Sequence, residues 1–439
     1  MANLWLLLFL EILLFLLSFI FNEHDIMSPS CMIMLVFIFS TVVATLNGEN
    51  WNIDYGLKTV GIIISGLSVF VITDICIADY YKNYKRNQII DNTINATVID
   101  TAKMIFTIIL DMLILYFVYK EVIRIAGTGS GFTNMFYAYR QIVNSTSRTA
   151  EQFMNGFVVQ CMKYVIGSGF ICGVIFVKNV FVCKERLSKN IIYIVPGMIM
   201  SIMTFVTGNR TNILRLFVAL LISTYILMQY KTNWSIRISW KYIKILACSL
   251  VVVFCFFSFS QVILGRSGAT TVMDIISNYA GASIQLFNLY LENPARSNLV
   301  WGEETFQGIW SLLYKSGISV INVSAFSEFR NLNSMNIGNV YTFFRKFYHD
   351  FGFFGMIIMT MLIAVFFSRT YNYHIKCHTF NYKQIYKITL YGYLYYIIVI
   401  ASVDNILPNY LSIGTLVQIM VFWFIYIFYF RVRIVYGKK

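Results

Sequence analysis

Charge is scarce in this sequence. Only 12% of its 439 residues are Asp, Glu, Lys or Arg, about half the share of a soluble globular chain, so a soluble enzyme domain is excluded. Four prolines in the whole chain exclude a Pro-rich linker or tail. There is no P-loop, no GxGxxG and no repeat of 20–50 residues, although internal repeats of membrane transporters can be too weak to see. What is plentiful is apolar surface. Hydrophobic residues make up 58% of the chain, in runs of roughly 17–20 residues, the length that crosses a hydrocarbon core. The fold class is therefore an all-α integral membrane protein, polytopic over 1–439.

Eleven runs read as spans: 3–21, 31–46, 57–77, 104–120, 156–177, 191–207, 213–229, 245–264, 351–368, 386–403 and 415–430. The first is long for a signal-peptide core and no Lys or Arg precedes it, so it reads as a retained helix. The net charge of +14 would suit a nucleic-acid partner, but its placement speaks for a membrane. Connections after spans three, five, seven and nine, and the C-terminal tail, carry Lys82, Lys85, Lys178, Lys184, Lys231, Lys241, Lys376, Lys383, Lys438 and Lys439 among other cations. Such lysine-rich connections are cytoplasmic by the positive-inside rule. The C-terminus is then inside, the N-terminus outside, and no nucleic acid is involved. All eight cysteines fall in spans or on the cytoplasmic side, so no disulfide framework is expected.

On the other face the cations are mostly arginines: Arg124, Arg140, Arg148, Arg210, Arg266, Arg296, Arg330 and Arg345, against Lys315 and Lys346. Lys58, Lys120 and Arg215, just inside neighbouring helix ends, soften the contrast. A guanidinium grips phosphate or carboxylate with two parallel donors, whereas an ammonium is a point charge. The excess suits a phosphate-bearing ligand. It also suits long loops that translocate regardless of charge and arginines that snorkel to headgroups. Within the spans, Glu11, Asp111 and Lys163 are deep, and Asp74 lies near the inner end of span three. Such charges are paired or functional, and Asp111 and Lys163, in neighbouring helices, are candidates for mutual neutralisation. His374, Cys377 and His378 are too close together, without a distant partner cluster, for tetrahedral metal geometry, so no metal site is expected.

The large extracytoplasmic segment 265–350 dominates the organisation. From Asp274 to Tyr290, residues Ile275, Tyr279, Ala282, Leu286 and Tyr290 form one helical stripe. A break at Asn293-Pro294 and Trp301-Gly302 precedes a second short helix around Thr305–Tyr314. Both would lie on or dip into the outer membrane surface, or pack onto the membrane domain. The stretch 324–350 then gathers Glu328, Arg330, Asn331, Asn333, Asn336, Asn339, Tyr341, Arg345, Lys346, Tyr348, His349 and Asp350 just before a span. Carboxylates, amides, phenols and guanidinium groups at that density describe an external polar site.

The run from Gly338 through Tyr341, Arg345, His349, Asp350 and Gly352 to Gly355, entering a span, resembles the signature before a late helix in bacterial oligosaccharide repeat-unit polymerases, the Wzy-type O-antigen and capsule polymerases. The run from Tyr279 through Phe287, Leu289, Asn293-Pro294, Gly302, Glu304-Thr-Phe306 and Gly308 is similar to that family's large external loop, and Gly208-Asn-Arg210-Thr to its glycine–arginine turn. The resemblance covers most of the chain and implies a GT-C-like membrane glycosyltransferase. Such an enzyme moves a growing glycan from undecaprenyl pyrophosphate to the non-reducing end of a new lipid-linked unit. The product is a surface polysaccharide: O-antigen of lipopolysaccharide, or capsule.

On that resemblance the donor is already activated, so no cofactor or metal is needed and arginines neutralise the leaving pyrophosphate. Arg210 is the favoured pyrophosphate contact. Arg266 and Arg345 flank the external segment, and Arg330 is a third clamp or the partner of Glu328, although residues two apart do not face each other on a helix. Asn339, Tyr341 and Tyr290 are further substrate-binding candidates. For the base, Glu328 comes first, with Asp350 or His349 behind it. Partners would be the lipid-linked donor and acceptor, membrane lipids, and a chain-length regulator and flippase of the same pathway. The alternative is a flippase or transporter of the same glycan. It needs buried charges but more often has short loops and broken helices in matching halves.

Overall fold

The structure is a computed structural model that describes residues 1–49, 51, 53–86, 94–127, 132–144, 149–209, 211–234, 277–294, 298–323, 327–332, 335–377 and 379–432. Among these it is helical apart from a two-stranded antiparallel hairpin, Arg330–Leu332 with Met335–Gly338. Eight helices are long and apolar enough to cross a membrane: Ala2–Phe21, Pro29–Leu46, Leu57–Lys82, Thr101–Ala126, Gly156–Val182, Thr211–Lys231, Phe344–Lys376 and Ile413–Phe430. Among the described residues the pair Leu187–Tyr193 and Val195–Val206, bent by 43°, passes the same test only when taken together, as a broken span or a re-entrant loop. Pro196 in the first turn of the second piece accounts for the break, since it cannot donate to the preceding turn. The eight helices and the pair fall on nine of the expected spans. The run 386–403 falls on the helix Tyr382–Val399, whose six tyrosines lower its hydropathy, and 245–264 lies outside the described residues. The chain is a multi-pass α-helical membrane protein.

Local chemistry explains the helix starts. Ser28 accepts from the Cys31 N–H ahead of Pro29, Asp100 from Ala102, and Asn155 from Phe157, each satisfying one of the four orphan donors of a first turn. Outward-facing Trp5, Phe9, Leu13, Leu16 and Ile20 on Ala2–Phe21 are the side chains that lipid would cover.

Contacts divide the chain into two compact units. The first comprises 1–89, 269–378 and 395–415 and carries most of segment 265–350. Its Phe344–Arg369 helix packs on Leu57–Arg86, and a Cβ at Gly66 would stand 2.4 Å from the Phe344 ring. Small residues permit such close helix approach. Asn3 donates to the Tyr55 carbonyl (2.6 Å), and Asn288 binds Asp54, Gly56 and Thr59. Asn22, at the far end of the same first helix, meets Asp74 (3.3 Å). A 20-residue helix is about 30 Å long, so Asn288 and Lys82, which is paired with Glu23, lie at opposite ends of this unit.

The second unit comprises 90–268, 379–394 and 416–439. There Lys103 donates to the Tyr429 and Val432 carbonyls at 3.0 and 2.7 Å. Arg124 pairs with Glu121 and ties down the Glu151 and Phe153 carbonyls, which makes it a loop-bracing residue. The expected Asp111–Lys163 pair does not form. Asp111 accepts instead from Ser168 on the helix Gly156–Val177 (2.8 Å), five residues further along than Lys163.

Candidate functional site

The first described element of segment 265–350 is a π-turn, Ser277–Gly281, running into the helix Ala282–Glu292. This helix does not lie on a membrane surface. Ala282 to Asn288, Tyr290 and Leu291 are buried, and Gly281 approaches Val43 so closely that a Cβ would stand 2.9 Å from its side chain. The second helix, Gln307–Lys315, has no buried residue, with Ile309, Leu312 and Tyr314 exposed, and rests one side on Leu407–Tyr410.

Tyr290, near the end of the buried helix, is the floor of a charged cluster. Arg345, one residue into the Phe344–Arg369 helix, is only 1% exposed, with its guanidinium carbon 4.9 Å from the ring centres of both Tyr290 and Tyr341. It is ion-paired to Glu304, and its second terminal nitrogen reaches Glu328 (3.4 Å). Glu328 is also gripped by Arg330, from Nε at 3.0 Å and Nη2 at 2.7 Å, and by the Tyr341 hydroxyl at 3.3 Å. Arg330 further donates to the carbonyls of Leu289 (2.7 Å) and Asn293 (2.6 Å).

The helix rule against contacts two residues apart does not apply to Glu328 and Arg330. Arg330 opens a β-strand, and Glu328 lies in the non-helical segment before it. Side chains two apart on extended backbone share a face.

The Tyr290 hydroxyl hydrogen-bonds His349 Nδ1 (2.8 Å). Burial pushes the Tyr290 phenol up to about 12, and the Glu304 and Glu328 charges add to the rise while Arg345 opposes it. Tyr341 is likewise raised, first by burial and then by Glu328. Both phenols are therefore neutral donors at ordinary pH. Asp350 points elsewhere: it accepts from the backbone N–H groups of Glu304 (3.2 Å) and Thr305 (2.6 Å), holding the turn that presents Glu304. Gly302 (φ +66°) within that turn and Gly352 (φ +67°) just past Asp350 have positive φ, which glycine adopts without strain; at Gly352 the backbone leaves the helical region, so Phe344–Arg369 is two helical pieces joined across a break.

The sequence candidates thus divide. Glu328, Arg330, Tyr341, Arg345, Tyr290 and His349 come together, and Asn339 joins at the edge through the Ser327 carbonyl (3.4 Å). Asp350 shapes the neighbouring turn. Arg210 and Arg266 lie outside the described residues. Of the glycine–arginine turn, Gly208 is described (φ +65°), and its carbonyl accepts from Arg140 at 2.7 Å. Glu304 is the residue that sequence reasoning left without a role; its one signal was its position between Gly302 and Gly308 in the external-loop run.

A cleft of about 420 Å³ opens beside the cluster, lined by Leu289, Glu292, Asn293, Phe329 and Arg330. Arg330 is the guanidinium at its wall, whereas Arg345 is enclosed by carboxylates and phenols. Among the described residues no group of three or more His, Cys, Asp or Glu side chains is placed to hold a metal ion. Comparison of the chain with protein-family models, with curated proteins and with solved structures finds no match.

Proposed function

We propose that this chain is a Wzy-type polymerase of lipid-linked oligosaccharide repeat units, a GT-C-like glycosyltransferase of about eleven transmembrane helices. It acts at the outer face of a bacterial cytoplasmic membrane, with its N-terminus outside and its C-terminus inside. The observation that carries this reading is Arg330 at the wall of the cleft, ion-paired to Glu328 in a cluster with Arg345, Tyr290, Tyr341 and His349. A carboxylate and a guanidinium side by side supply the two things this transfer needs, a proton acceptor and a counter-charge for pyrophosphate.

In the proposed reaction the non-reducing-end hydroxyl of one unit attacks the anomeric carbon of the glycan on the other lipid. A new C–O bond forms as the bond to pyrophosphate breaks, and undecaprenyl pyrophosphate leaves with the electron pair. The hydroxyl proton passes to Glu328; His349, oriented by Tyr290, is the second acceptor in the cluster. Arg330 meets the developing charge. Arg345 is a positioning residue that fixes Glu328. The buried, hydrogen-bonded packing of the external segment favours this reading over a transporter, for which a large folded external segment has no evident task.

The test is deletion of the gene followed by analysis of lipid-linked and surface glycan. Loss of a polymerase leaves exported glycan one repeat long. Loss of a flippase leaves lipid-linked repeats on the cytoplasmic side and no surface glycan, which would overturn the proposal. Glu328→Gln should then reproduce the deletion with the protein still present, since losing a general base costs about 10²–10⁴ in rate. Wild-type chain lengths from both Glu328→Gln and His349→Asn would remove the cluster from the chemistry.

A further inference from the structure

A cleft of about 370 Å³ opens in the second unit, where the helix Tyr382–Val399 begins and the spanning helix Ile413–Phe430 ends. It is lined by Asn381, Tyr382, Lys383, Tyr426, Phe430 and Arg431. Two cations from separate segments therefore border one space, and no carboxylate does. Neither Lys383 nor Arg431 has an ion pair among the described residues. The segments that supply the lining, 379–394 and 416–439 of this unit, contain no Asp or Glu at all.

The fold does not use these charges for itself. The carboxyl end of Ile413–Phe430, where a cation is favourable, is already served by Lys103, which donates to the Tyr429 and Val432 carbonyls. Arg431 is exposed and its guanidinium is left over. Lys383 stands in the first turn of its helix, the positive end of the macrodipole, and that turn holds no acid. Lys387 follows one turn later on the same helix, and like charges four residues apart repel. The Asn381 side-chain oxygen accepts from the Gln384 N–H (3.3 Å), which leaves its amide nitrogen as a donor. An anion in the cleft offsets each of these placements.

The remaining wall is aromatic. Tyr382 stacks on Phe430 (5.2 Å between ring centres), Phe430 meets Tyr426 (5.5 Å), and Tyr426 meets Trp423 (5.3 Å). Steps of three and four residues carry this strip along the spanning helix, whose Met420, Trp423 and Phe424 face outward. A free inorganic anion has no use for such a strip, whereas an acyl chain does. We propose that the cleft binds the headgroup of an anionic phospholipid. Lys383 and the Arg431 fork hold the phosphate oxygens, the Asn381 amide donates a further hydrogen bond, and an acyl chain lies along Phe430 and Trp423. Basic pockets between membrane helices suit such headgroups. The lipid ties the start of one helix to the end of the other. The site stands independently of the polymerase reading.

The experiment uses the full chain in nonionic detergent micelles, with its melting temperature followed against added phosphatidylglycerol, phosphatidylcholine or inorganic phosphate at constant ionic strength. A ligand bound only by the folded state raises stability with the logarithm of its concentration above the dissociation constant. Phosphatidylglycerol should give that saturable rise, and phosphatidylcholine and inorganic phosphate none. Lys383→Gln and Arg431→Gln change exposed side chains, so both should fold, and each should need about fivefold more phosphatidylglycerol. Lys189→Gln, at an exposed cation of the same unit that does not line the cleft, should leave the midpoint unchanged. Equal melting in phosphatidylglycerol and phosphatidylcholine overturns the site. So does a loss in Lys189→Gln equal to that in Lys383→Gln, which would make the attraction diffuse. The same rise from inorganic phosphate makes the occupant a free anion and overturns the lipid.

Discussion

Arg345 is where the structure makes its sharpest energetic demand. A guanidinium that is 1% exposed sits between Glu304 and Glu328, whose side chains are 19% and 29% exposed. Replacing it by Met keeps much of the volume and leaves two half-buried carboxylates without their shared cation. Removing one partner of a buried pair costs about 3–5 kcal/mol, and the lost faces of Tyr290 and Tyr341 add about 1 kcal/mol. Arg345→Lys keeps the charge but meets one carboxylate at a time. It should cost about 2 kcal/mol, the worth of one hydrogen bond between charged groups. The assay is equilibrium unfolding in mixed micelles titrated with SDS, run as a double-mutant cycle with Glu304→Gln. Neutralising Glu304 removes much of what Arg345→Met leaves stranded, so the double variant should be more stable than the sum predicts, by about 1–3 kcal/mol. Additivity within about 0.5 kcal/mol would refute the claim that Arg345 and Glu304 act as one buried unit.

Reporter fusions near Asn298 and at the C-terminus test the orientation: a cytoplasmic reporter active at the first, or inactive at the second, reverses the chain and removes the external site. Polymerisation by purified protein should survive excess chelator; loss restored by a divalent ion would replace arginine with metal as the stabiliser of leaving charge. Gly352→Ala should cost about 1–2 kcal/mol, because φ +67° brings a Cβ against its own carbonyl, and a thermally neutral variant would show that the break relaxes freely. Tyr290 is raised to about 12. With its folded pKa above the unfolded value near 10, its share of stability is complete below pH about 10 and is lost as pH climbs towards 12. Ultraviolet difference titration between pH about 9 and 11 should therefore be the same for Tyr290→Phe as for the parent; a missing tyrosine's amplitude would mean an exposed phenol.

The membrane class, the places of most spans and the polar density of 324–350 were legible in the sequence because each is local. A run of apolar residues is recognisable without knowing what it packs against, and lysine clusters mark connection ends by composition alone. The short helix Gln307–Lys315 was legible for the same reason. Tertiary structure decided the partnerships. Nothing in the linear order says that Glu304 and Arg345, 41 positions apart, form one ion pair, or that Asp350 spends its oxygens on the turn that presents Glu304. Asp111 and Lys163 looked like a pair on helices adjacent in sequence, but rotation of a helix about its axis decides which side chain faces inward, and it turned Ser168 to the carboxylate. The burial of Ala282–Glu292 is of the same kind. Its aromatic stripe reads first as packing onto the membrane domain and second as lying at a membrane surface, and Gly281 against Val43 and Asn288 against Thr59 show the packing. Sequence determines what each segment can bury; only the folded chain determines which charges are buried together, because that depends on distances between residues the backbone does not connect.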